Sequence, residues 1–81
     1  MAELMSVRYE WMGASSVTID VAPKGTEVGA DFVDEEFALI LSSDEAVVIE
    51  GSAQELEILL TRCLQQIEYA KQRQRSGSRP Q

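Results

Sequence analysis

SAQELEILLTRCLQQIEYAKQRQ, residues 52–74, is the stretch whose reading decides the fold. Ser52 stands three residues before Glu55, with Gly51 ahead of it and an apolar run behind it, which is the pattern of a capping box at a helix N-terminus. Leu56, Leu59, Leu60, Cys63, Leu64 and Ile67 then recur at offsets of 3, 4, 7, 8 and 11, the spacing that stacks side chains on one face of a helix. Burying six such side chains would stabilise a fold by on the order of 10 kcal/mol gross, far more than helix propensity contributes, so this face is expected to pack on the rest of the chain.

Upstream of that helix the periodicity changes from 3.6 to 2. Ala46-Val47-Val48-Ile49-Glu50 and Phe37-Ala38-Leu39-Ile40-Leu41 have the branched and aromatic content of strands, and the polar run Ser42-Ser43-Asp44-Glu45 turns the chain between them. Thr26 to Glu36 is ambiguous: Val28, Ala30 and Phe32 alternate weakly, while Gly29 and the run Asp34-Glu35-Glu36 favour a loop or irregular edge. Val17, Ile19 and Val21 alternate with polar or small residues up to a Pro23-Lys24-Gly25 turn. Met5, Val7, Tyr9 and Trp11 alternate in the same way and are expected to form the first strand, paired with 17–22 through a turn at Met12-Gly13-Ala14-Ser15. The sequence therefore predicts a small α+β domain of two layers: an antiparallel ββββ sheet covered on one face by a single long C-terminal helix. Residues 1–4 are expected to be a flexible lead-in, 5–75 the single domain, and 76–81 a disordered basic tail with no apolar anchor.

Charge is unevenly spread along the 81 residues. Residues 1–70 hold all 14 acids and only Arg8, Lys24 and Arg62, a balance of −11, whereas 71–81 hold Lys71, Arg73, Arg75 and Arg79. An acidic body disfavours nonspecific contact with nucleic acid or an anionic membrane, and the four C-terminal cations suit the negative end of the helix dipole. No apolar run is long enough for a signal peptide or a transmembrane helix, so a cytoplasmic protein is expected. Cys63, the one cysteine, has no partner for an internal disulfide and is expected to be a small buried hydrophobe on the helix face.

Histidine is absent, which removes the usual general base, the commonest metal ligand and every Ser-His or Cys-His nucleophile. The carboxylates Asp31, Asp34, Glu35, Glu36, Asp44 and Glu45 form an acidic surface; the segment 31–42 lacks the glycine and glutamate positions of an EF-hand. The glycines follow neither phosphate-loop spacing. No enzyme, cofactor or metal is expected.

Two surfaces remain. With Phe37, Leu39, Leu41, Val47 and Ile49 facing the helix, Ala38, Ile40, Ala46 and Val48 fall on the other side of the sheet, either exposed or shielded by the 26–36 loop. On the helix, Ile58, Arg62, Gln65 and Tyr69 form a line roughly opposite the main stripe. The sequence thus points to a small acidic protein-protein interaction module, homodimeric through Ile58, Arg62, Gln65 and Tyr69 or through Ile40 and Val48, and acting on a protein partner without chemistry. The alternative is a phage-type inhibitor, an acidic mimic of nucleic acid occupying the basic groove of a nucleic-acid-handling defence enzyme.

Overall fold

A computed structural model describes residues 7–77; the lead-in at 1–4, Met5 and Ser6 of the expected first strand, and residues 78–81 of the expected tail lie outside the described residues. Five strands form two antiparallel sheets and precede one long helix, so the chain is α+β. The strands are β1 (Thr18–Pro23), β2 (Glu27–Val28), β3 (Asp31–Phe32), β4 (Phe37–Ser42) and β5 (Ala46–Gly51), and the helix is α1 (Ala53–Gly77).

The main sheet has the order β1-β4-β5, with β4 in the centre. Its register places Ile19, Leu41 and Val47 opposite one another, and Val21, Leu39 and Ile49 likewise, so these six side chains share one face. Ala22 and Ala38 pair on the other face, as do Ile40 and Val48. β4 carries the apolar run with the fewest exposed positions because it alone is flanked on both edges, and Ala38 and Leu39 at its middle are buried.

Two elements differ from expectation. Val7 to Trp11 forms no strand: Tyr9 and Trp11 are 77% and 92% exposed, and a 3₁₀ turn at Ala14–Ser16 follows, closed by the Ser16 amide donating to Gly13 O at 3.0 Å. The strand at 18–23 pairs instead with β4. Alternation specifies a strand's two faces but supplies no partner, and here the central strand, with apolar side chains on both faces, takes the pairing.

The second difference is the ambiguous stretch, which is a hairpin. β2 and β3 pair Val28 with Asp31 around Gly29-Ala30, and Gly29 has φ of 62°, the positive value that the first central residue of a type II′ turn requires. Thr26 N–H donates to Pro23 O at 3.2 Å across a turn in which Gly25 has φ of 90°, a type II geometry. Lys24 N–H to Glu36 O (3.0 Å) and Gly25 N–H to Val33 O (2.9 Å) then fold the hairpin back onto the sheet. Val33 is buried with Ala22 and Ala38, and Val28 and Ile40 pack against that cluster. The back of the sheet is therefore covered by this hairpin, and Ile40 faces inward against it.

α1 begins where the capping box places it. Glu55 N–H donates to Ser52 Oγ at 3.0 Å, and Ser52 N–H donates to Glu55 Oε1 at 2.9 Å. Gly51 is buried beside this pair, and a Cβ there would meet Glu55 Oε1 at 3.0 Å and Glu55 Cβ at 3.3 Å, so the closeness of strand end to cap requires glycine. The helix contacts β5. It then outruns the sheet: 25 residues span about 37 Å, against about 20 Å for a six-residue strand. The radius of gyration is 16.5 Å, where a compact chain of this length would have about 12 Å.

Candidate interaction surface

The apolar stripe of α1 divides at its second turn. Leu56 is buried and Leu59 half-buried, whereas Leu60, Leu64 and Ile67 are exposed, the last two at 64% and 55%. Cys63 is exposed too, so the expectation of a buried thiol is overturned. The contacts of α1 with the sheet are with β5, and its buried positions end in the first two turns, so the spacing that would have buried these residues leaves them facing solvent.

The sheet shows a matching gap. Ile49 lines a cleft with Leu56 and Leu59, which puts α1 on the face shared by Leu39, Leu41, Val47, Ile19 and Val21. A helix about 10–12 Å wide covers roughly two strands at ~4.8 Å spacing. The sheet contacts of α1 are with β5, and Ile19 and Val21 of β1, on the same face, are 65% and 58% exposed. Summed with Leu60, Leu64, Ile67 and Val47, these residues expose on the order of 600 Å², divided between the sheet face and the distal turns of α1.

The line foreseen as a contact is split by the fold. Ile58 and Arg62 line the cleft between α1 and β5, beside Ile49 and Glu50. Gln65 and Tyr69 lie further out, exposed, and Arg73 stacks its guanidinium 5.6 Å from the Tyr69 ring. On the back of the sheet, Val48 lines a small hollow with Val28, Asp31, Phe32, Val33 and Glu50.

Several acids have structural employment that the sequence did not disclose. Glu36 Oε1 accepts the Ala53 amide of the first helical turn at 2.9 Å, satisfying one of the donors a helix N-terminus leaves open. Glu50 Oε1 accepts the Asp34 and Glu35 amides at 2.7 and 3.0 Å. The acidic run after β3 is thus stitched to the strand–helix junction, with one carboxylate reaching in each direction. These links join residues 15 to 17 apart in the chain, beyond any local motif. Asp31, Asp34, Glu35, Asp44 and Glu45 are exposed; the group at 34–36 leads into β4 and the pair at 44–45 follows its far end. Among the described residues no three His, Cys, Asp or Glu side chains converge as a metal site would require, and no helix is long and apolar enough to cross a membrane.

Comparison with family models, curated proteins and solved structures returns no match.

Proposed function

We propose that this protein is a small acidic binding module that docks a protein partner on the open apolar face formed by the distal stripe of α1 and the β1 side of the sheet. The observation that carries this reading is the exposure of Leu60, Leu64 and Ile67 on a helix whose root is firmly capped and docked. A run of exposed apolar side chains on one helix face suits an interaction site, and a well-formed helix presenting it offers a partner an ordered groove-filling element. Acids then serve solubility and orientation at the rim, because Glu36 and Glu50 are engaged in internal caps and the remaining clusters sit at opposite ends of β4.

Affinity capture from native lysate, with wild-type protein beside Leu64→Glu/Ile67→Glu, tests it. A partner retained by wild type at about 0.5 M salt and lost by the variant supports docking on the apolar face, since screening at that strength removes most surface electrostatics. A partner released by salt and indifferent to the double substitution would favour the acidic-mimic reading instead.

A further inference from the structure

We infer that the occupant of the open face is a second copy of this chain, joined through an antiparallel pairing of the two α1 helices centred near Cys63 and Leu64; this deepens the binding-module reading and rests on it. Three observations converge. The first is spacing. Leu56, Leu60, Cys63, Ile67, Ala70 and Gln74 follow one another at intervals of 4, 3, 4, 3 and 4, a seam that keeps the same side of a helix toward a neighbouring helix. A seam of that kind calls for a helical partner.

The second observation is space on the sheet. α1 contacts β5, and Ile19 and Val21 of β1 stand bare on the same face, a strip one strand, about 5 Å, wide. In an antiparallel pair centred at 63–64, Leu60 of one copy meets Ile67 of the other, and the last turns of each helix fall beside the root of its neighbour. The register sets Pro23 level with Gly51 at that root, with Val21 two residues further along β1, so each overhang comes beside the Val21 end of the other copy's β1, and the two-fold makes both contacts with one set of residues. Apolar exposure on the order of 600 Å² per copy is close to the roughly 800 Å² per partner of a standard interface, and rim contacts from α1 would make up the difference.

Charge is the third. Glu55 and Glu57 lie near the start of α1, Lys71 and Arg73 near its end. Antiparallel pairing sets the basic end of each helix beside the acidic start of the other and beside an acidic sheet, whereas parallel pairing would align like with like. The same arrangement gives the chain a larger core: among the described residues of one copy the buried apolar ones are Ala22, Val33, Ala38, Leu39 and Leu56, a small set for a domain of this size.

Sedimentation equilibrium from about 1 to about 100 µM, with crosslinking of the native Cys63 thiol by a short bis-maleimide, provides the test. The expected result is a dimer that crosslinks through Cys63, a folded Leu64→Glu/Ile67→Glu variant whose dissociation constant rises at least about 100-fold, and an unchanged dimer for Ile58→Glu/Tyr69→Glu. On a Cys63→Ser background, Leu60→Cys mixed with Ile67→Cys should crosslink while Leu60→Cys alone should not. Wild-type protein that stays monomeric throughout overturns the homodimer; if it still captures a partner through the same face, the binding-module reading survives, and if it captures nothing, both fall. Dimerisation that persists in Leu64→Glu/Ile67→Glu overturns the seam, and Leu60→Cys crosslinking to itself overturns the antiparallel orientation.

Discussion

The first two turns of α1 and the turns beyond them carry the same apolar spacing and meet opposite fates. At the root, Ser52, Glu55 and Glu36 satisfy amides of the helix start, Gly51 lets the strand end come close, and Leu56 is buried. Beyond Leu60 nothing on the stripe is buried; Thr61 Oγ1 donates to Glu57 O at 2.9 Å, Lys71 pairs with Glu68 at 3.1 Å, and Arg73 stacks over Tyr69. Identical periodicity thus describes a core in one half and a free surface in the other. What separates them is contact with the sheet, which α1 makes with β5 and which buries it only near its root, a matter of how the helix leaves the strand rather than of its own pattern.

The difference can be broken most sharply at Leu56. Leu56→Asp places a charge at a buried position of the docked turn and should abolish the cooperative thermal transition followed by circular dichroism, while Leu64→Asp should leave a folded chain. If both variants unfold alike, the root and the distal turns form one core and the division is wrong. A subtler contrast comes from Leu64→Ala. In an isolated chain an exposed leucine should change stability by less than about 0.5 kcal/mol, whereas at an occupied interface the loss should approach ~2 kcal/mol, and the wild-type melting midpoint should rise with protein concentration.

Caps come next in size. Ser52→Ala is expected to cost about 1 kcal/mol in a urea titration, and Glu36→Ala a similar amount, because each removes an acceptor from the helix start. Asp34→Ala, whose amide rather than carboxylate is bonded, should stay within about 0.5 kcal/mol. Equal effects at positions 34 and 36 would mean that general acidity matters more than the cap. The smallest effect belongs to the distal turns: Lys71→Ala removes an exposed i,i+3 pair and should cost no more than about 0.5 kcal/mol.

Local signals were legible in the sequence and long-range ones were not. The capping box named the start of α1 correctly because all its atoms lie within four residues, and β4, β5 and the turn between them followed from branched runs bounded by polar residues. The hairpin of β2 and β3 escaped because two-residue strands carry too little alternation to register, although Gly29 marked its turn. Val7, Tyr9 and Trp11 have a strand's pattern but pair with no strand among the described residues. Of the candidate surface, Leu60, Cys63, Leu64 and Ile67 are visible in the sequence but read as interior, since periodicity identifies a face without saying whether anything covers it. From sequence Glu36 reads as part of an acidic surface and Glu50 as an ordinary strand-end residue, because their partners stand 15 to 17 residues away.

Those two carboxylates have a mechanical meaning. Glu36 grips the first amide of α1, and Glu50, one residue before Gly51, grips the loop that carries Glu36, so strand, loop and helix root form a closed clasp. A helix of about 37 Å hinged at one end is a lever, and a tilt of ~10° at its root would swing the tip by about 6 Å, more than the width of a side chain. The clasp therefore sets the aim of the distal turns, and loosening it would blur the position of Leu64 and Ile67 without touching either residue.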